Sequence, residues 1–181
     1  EALATMAVWA EPSVLDRVDG RYRGKVTREA AKVKALLVPE MDGFLASTDP
    51  AIVNASLNVL KEFKVTDFNE KLDAIYRKNQ DPQIRSGILT ALAELNYAKV
   101  GDLIHDALKS QDKGLRGTAL GMLNKLDISP ELLSNMAQQV LRAGEQGEQQ
   151  RMMKSLGEMP LTKTEGLFRS FIVQLKSKKF P

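Results

Sequence analysis

Cysteine is absent from the 181 residues, which removes disulfides, thiolate nucleophiles and cysteine-based zinc sets. Histidine occurs once, at His105, and tryptophan once, at Trp9. A Ser-His-Asp triad would have to be assembled around that one imidazole, with nothing nearby in the sequence to support it, and one imidazole without cysteine rules out the usual zinc sets. No apolar run approaches the roughly 18 residues of a membrane-spanning helix, and no basic segment followed by a long apolar stretch opens the chain. Charge of one sign is also scarce. The net is +3, and residues 163–181 hold five Lys or Arg against one Glu, so the other 162 residues sum to −1. No broad basic face is indicated.

What is present is a folding composition, 43% hydrophobic and 27% charged, in a chain long enough to bury roughly 70% of its unfolded surface. The dominant pattern is an internal repeat. Asp49-Pro50-Ala51-Ile52, Asp81-Pro82-Gln83-Ile84 and Asp112-Lys113-Gly114-Leu115 open three units, and a weaker fourth opens at Glu145, giving spacings of 32, 31 and 33 residues. Apolar residues recur 8, 11 and 14 positions after each opening: Leu57, Leu60 and Phe63; Leu89, Leu92 and Leu95; Leu120, Leu123 and Leu126; Met153, Leu156 and Met159. Steps of three mark one face of an α-helix. Asp49 and Asp81 suit N-caps with Pro50 and Pro82 at the first helical position, where no amide is lost.

A second apolar stripe follows in each unit, through Leu72 and Ile75, through Leu103, Ile104 and Leu108, and through Leu132, Leu133, Met136 and Val140. Ser129-Pro130-Glu131 reads as a cap and first turn, and Thr162-Lys163-Thr164-Glu165 as a capping box before the last helix. Each unit is thus expected to be a helical hairpin, over residues 49–80, 81–111, 112–144 and 145–181. Glu148 stands where an apolar residue belongs, as a polar end repeat would have it.

Residues 1–48 depart from the pattern. Aligning Leu3, Met6 and Trp9 with Leu57, Leu60 and Phe63 puts the first helix already under way at Glu1, which reads as a cut into a longer array. A polar segment from Ala10 to Lys25 follows, then a helix opened by Thr27 and kinked or divided by Pro39. This unit carries an insertion of about 20 residues relative to its neighbours, and such insertions map to loops that can bind something.

Helical pairs opened by Asp-Pro or Asp-x-x-Leu-Arg and filled with Leu and Ala resemble HEAT-type repeats, with Arg85 and Arg116 matching the arginine often found early in them. The resemblance implies an all-α fold, a right-handed, gently curved α-α superhelix (solenoid) of about five hairpins. The run Glu1-Ala-Leu-Ala-Thr-Met-Ala-Val-Trp9, with Pro12 and Asp16-Arg17-Val18-Asp19-Gly20-Arg21, further resembles the HEAT segment of large secreted multidomain bacterial proteins. In those a propeller-type sugar dehydrogenase domain precedes the repeats and a c-type cytochrome domain follows. The resemblance implies a non-catalytic, extracytoplasmic (periplasmic or secreted) module that spaces or docks flanking redox domains. Quinone and haem chemistry would lie outside this chain, which needs no cofactor of its own and lacks a Cys-x-x-Cys-His haem site. The alternatives are a free-standing protein-binding adaptor and, more distantly, a helical-repeat nucleic-acid-binding or DNA repair protein, with the cytoplasm as the alternative location.

Candidate partner-binding residues fall in two groups. In the inserted segment, Arg17, Arg21, Tyr22 and Arg23 surround Asp19-Gly20, a dipeptide suited to a tight hairpin turn; the loop either grips a partner or neutralises itself through Asp16 and Asp19. On the second helices, Arg77, His105, Lys109, Gln138 and Arg142 would line a polar groove in the adaptor reading. Gly114, Gly117 and Gly121 lack the strand and the Gly-Lys-Ser/Thr ending of a phosphate loop, so close helix packing explains them better. Met152, Met153 and Met159 read as core filler. Lys176, Lys178 and Lys179 complement the negative end of a terminal helix dipole before they suggest nucleic acid.

Overall fold

Carboxylates and a hydroxyl set the starts of four helices directly. Asp49 accepts from the Ala51 amide at 2.8 Å, Asp81 from Gln83 and Ile84 at 2.7 and 3.2 Å, Asp112 from Leu115 at 2.8 Å, and Ser129 from Leu132 at 3.3 Å. Each supplies an acceptor to an amide that the helix itself leaves unpaired. Pro50, Pro82 and Pro130 occupy the first helical position, as their missing N–H allows.

The structure, a computed structural model, describes residues 2–177, and among them it is all-helical with no β-strand. The helices are α1 (Ala2–Ala7), α2 (Ala30–Leu37), α3 (Met41–Leu45), α4 (Pro50–Glu62), α5 (Asn69–Lys78), α6 (Pro82–Glu94), α7 (Val100–Leu108), α8 (Lys113–Leu120), α9 (Pro130–Ala143), α10 (Gln146–Gly157) and α11 (Leu161–Lys176). Single 3-10 turns at Val38–Glu40 and Leu123–Lys125 complete the elements. Pro39 divides the helical stretch as its chemistry requires, with α2 ending one residue before that 3-10 turn.

The chain forms two compact units, one up to Tyr97 and one from Ala98 onward. In unit 1, α1 stacks on α4 and α4 on α6, with α3 against α4 and α5 against α6. In unit 2, α8 stacks on α10 and α9 on α11, with α7 against α8 and α9 against α10. Within each unit the close backbone packing therefore joins first helices of successive repeats to one another and the second helix of one repeat to the first helix of the next.

The buried face is a set of columns. Seven positions after each opening residue stand Ser56, Ile88, Ala119 and Met152, and eleven positions after it Leu60, Leu92, Leu123 and Leu156; all eight are 0% exposed. Each of the four leucines contributes about 2 kcal/mol of burial. The eleven-residue column was evident from leucine alone. The seven-residue column was not, because Ser56 and Ala119 carry no hydrophobic signal; the Ser56 hydroxyl is satisfied by the Ile52 carbonyl at 2.8 Å. At offset 14, Leu95, Leu126 and Met159 are only half-buried.

Several sequence expectations are corrected. Thr27 does not open α2, which begins at Ala30 after an extended Glu29. Trp9 and Met6 are not core residues: α1 ends at Ala7, the residue it buries, and both are 39% exposed. Ile52 points outward and Val53 is buried instead, and of the expected pair Leu132 and Leu133 only Leu133 is buried. The expected box at Thr162–Glu165 is absent; α11 starts at Leu161 behind Pro160, and Thr164 is buried within it. The capping box that does form is Glu145 with Glu148.

Glu148 is also no solvated end residue. It is 5% exposed, receives the Arg116 Nε at 2.7 Å, and accepts from the Glu145 amide at 3.0 Å. Arg116 in turn donates to the Ser110 and Gln111 carbonyls at 2.9 and 3.3 Å, so this arginine ties α8 to α10 and to the turn before α8. Of Gly114, Gly117 and Gly121, Gly117 serves close helix packing: a Cβ on it would meet Arg151 Nη1 at 2.7 Å, and Arg151 donates to the Gly114 carbonyl at 3.2 Å, whereas a Cβ on Gly114 would meet only the Asp112 cap.

Candidate docking surface at the inserted hairpin

The segment between α1 and α2 is a closed loop with a hairpin at its tip. The Arg28 amide donates to the Ala10 carbonyl at 2.9 Å, and the Arg28 guanidinium lies 4.5 Å from the centre of the Trp9 ring, so the two ends are pinned by a hydrogen bond and a cation–π contact. Within the loop Leu15 and Tyr22 form an antiparallel bridge, flanked by Asp16 N–H to Arg21 carbonyl and Arg23 N–H to Val14 carbonyl, both 2.8 Å. Gly20 takes φ +69°, in the left-handed region that only glycine enters without strain. The expected Asp19-Gly20 turn is thus present.

Asp16 is the hub of the turn. Its Oδ1 accepts from the Val18 and Asp19 amides at 2.8 and 3.1 Å, and its Oδ2 faces Arg23 at 3.2 Å. These two amides, with Arg23 beside them, hold the Asp16 carboxyl below the usual carboxylate range. Asp19 pairs with Arg21 and Arg23, each at 3.6 Å. Of the four loop residues singled out by sequence, Arg21 and Arg23 are therefore engaged inside the hairpin. Arg17 reaches only the Thr5 hydroxyl at 3.3 Å, and Tyr22 is 72% exposed. A recess of about 400 Å³ lies beneath, walled by Trp9, Leu15, Val26, Arg17 and Arg28. Sequence reasoning missed Trp9 and Arg28 by placing Trp9 in the core. The signal was Glu11-Pro12, which ends helical continuation just beyond it.

The second-helix candidates are not drawn together in the same way. In unit 1, Arg77 on α5 pairs with Asp73, which also accepts from the Tyr97 hydroxyl at 3.0 Å, and this places Arg77 in an internal network. In unit 2, His105 lies exposed on α7, Lys109 caps that helix, and Arg142 lies exposed in the last turn of α9. The described recess of unit 2, about 320 Å³, is lined instead by Leu108, Met136, Val140 and the Arg116–Glu148 pair. A second recess in unit 1, about 660 Å³, runs from Leu45 and Thr48 to Lys71, Ile75, Lys78 and Ile84. Among the described residues no three His, Asp or Glu side chains converge as a metal site would require. Lys176 lies in the last turn of α11, while Lys178 and Lys179 lie outside the described residues. Among the described residues no helix is long and apolar enough to cross a membrane. Comparison with protein-family models, with curated proteins and with solved structures finds no match.

Proposed function

We propose that this chain is a non-catalytic docking and spacing module of HEAT type, a short solenoid within a larger extracytoplasmic protein, set between domains that carry the redox chemistry. The observation that supports it best is recurrence of the same kind of bond at one repeat's separation. Lys61 meets Glu94 at 3.4 Å, Lys113 meets Glu145 at 2.6 Å, Arg116 meets Glu148 at 2.7 Å, and the Asn124 amide meets Ser155 at 3.2 Å. Partners 31 to 33 residues apart tie α4 to α6, and α8 with the 3-10 turn after it to α10. Polar side chains spent in this way stiffen a scaffold, in which each repeat contacts mainly its neighbours.

The test begins with the reading frame on both sides of the segment, where a propeller-type domain and a Cys-x-x-Cys-His motif are expected. In the intact protein, replacing the repeats by a flexible linker of matched span should slow electron transfer between the flanking domains about tenfold or more, because a rigid spacer fixes their effective concentration. Each domain's turnover with an artificial partner should be unchanged. Flanking sequence without those domains, or transfer indifferent to the replacement, would sink the reading.

A further inference from the structure

We infer that the inserted hairpin receives an extended acidic segment of a partner protein domain, laid along the free edge at Tyr22 and over the Trp9 recess; this deepens, and rests on, the docking reading. Charge is the first ground. The loop from Ala10 to Arg28 carries five Lys or Arg against three Asp or Glu, net +2, whereas residues 35–97 carry six against nine, net −3. The loop is a basic feature on an acidic body. Both hairpin aspartates are already occupied by backbone amides, Arg21 and Arg23, while Arg17, Lys25 and Arg28 meet no carboxylate among the described residues.

Backbone is the second ground. The two hydrogen bonds that flank the Leu15–Tyr22 bridge use the residues on either side, so the Tyr22 N–H and C=O point away from the partner strand, and they bond nothing among the described residues. An unpaired edge is a template for another strand, and main-chain bonding of this kind recognises extended peptide. Apolar surface is the third. Val18 is 96% exposed and lines the recess with Leu15 and Trp9, and Tyr22, opposite Leu15, is 72% exposed, so a segment alternating acidic and apolar side chains satisfies both grounds. Nucleic acid fits less well, since it needs many phosphate contacts along an extended face and cannot use a strand edge.

The single tryptophan makes the test direct, because Trp9 walls the recess. The full chain is titrated with a fluorescein-labelled synthetic peptide alternating glutamate and valine, following Trp9 emission and probe anisotropy. Saturable binding with a blue-shifted Trp9 emission is expected, weakened about tenfold or more by Arg17→Glu with Lys25→Glu, and also by Tyr22→Pro, which removes the edge amide. All three positions are exposed, and unchanged thermal unfolding would show that the helices are intact. Equal binding of a lysine–valine peptide, tighter binding of a single-stranded oligonucleotide, or indifference to both variants would overturn the inference. Flanking-domain association that survives both variants would overturn it too, yet leave the docking module standing; loss of that association on deleting the repeats but not the hairpin separates the two in the same way.

Discussion

The two units meet one packing problem with opposite residues. In each, a pair of successive first helices, α4 and α6 or α8 and α10, meets tightly five positions after the opening residue of the earlier repeat and six after that of the later. In unit 1 these positions hold Asn54 and Gly87; in unit 2 they hold Gly117 and Arg151. A Cβ on Gly87 would lie 2.0 Å from Asn54 Oδ1, and a Cβ on Gly117 2.7 Å from Arg151 Nη1. Each junction has one glycine at this contact, supplied by the later helix in unit 1 and by the earlier helix in unit 2. The units also place their buried charge differently. Unit 2 puts it between the stacked helices, as Arg116–Glu148, whereas unit 1 keeps that position apolar with Ile84 and hides its acid, Asp73, under Tyr97.

The largest effect that would separate the units is Glu148→Ala. It strips Arg116 of its carboxylate and the Glu145 amide of its acceptor, and breaking such a pair costs about 3 kcal/mol. Urea unfolding of the full chain with peptide-resolved hydrogen exchange should show protection lost in α8 and α10 and kept in α4 and α6. Equal loss in both units would mean that they unfold as one body.

The pH limits should differ in the same sense. Burial pushes the Glu148 carboxyl up, but hydrogen bonds from Arg116 and the Glu145 amide, with the charges of Arg116 and Lys113, pull it down further, so it sits below its ordinary value. A carboxyl depressed in the folded state stabilises above its unfolded pKa of about 4.3, and that contribution drains away as pH falls through the folded value. The Tyr97 phenol is shifted the other way, upward, by burial first and then by Glu70 and Asp73. Its contribution is whole below the unfolded pKa of about 10 and is lost as pH rises from there through the folded value. Unit 2 should loosen first in acid and unit 1 first in alkali. Glu148→Gln should flatten the acid limb, and Tyr97→Phe the alkaline limb at a cost of about 1 to 2 kcal/mol from the donor taken from Asp73. Identical pH profiles for the two units' exchange would remove the distinction.

Helix starts and the leucine column were legible because Asp-Pro caps and leucines spaced by three are local signals. The pairings were not. Asp73 and Glu148 look like surface residues in sequence; only the stacking of helices about 32 residues apart brings Glu148 to Arg116, and only the return of the chain to Tyr97 covers Asp73. Leu132 and Ile52 misled for the opposite reason: each stands beside an equally apolar neighbour, Leu133 or Val53, and the choice between them depends on a rotation of the helix that no single segment records. At the hairpin, Asp19-Gly20 announced the turn, and Asp16 and Asp19 announced its neutralising pairs. The exposed Trp9–Arg28 contact depends on where α1 stops, and that boundary set the site apart from the core.

The smallest effect gives the sharpest comparison. Replacing a helical glycine by alanine gains about 0.8 to 1 kcal/mol of helix propensity. At Gly117 the obstacle is the tip of an exposed arginine, which can swing aside for the loss of one bond to the Gly114 carbonyl, so Gly117→Ala should stay within about 0.5 kcal/mol of the parent. At Gly87 the obstacles are the short Asn54 side chain and, at 3.1 Å, Leu57 Cδ1, whose residue is 2% exposed and held by its neighbours. Overpacking there costs about 1 to 3 kcal/mol, so Gly87→Ala should be destabilising by about 1 kcal/mol net. Asn54→Ala in the same chain should return most of that loss, because it clears the nearer atom while leaving Leu57 in place. Urea midpoints of the three variants measure this directly. Equal losses at Gly87 and Gly117, or no recovery with Asn54→Ala, would mean that the two junctions are not solutions of the same contact.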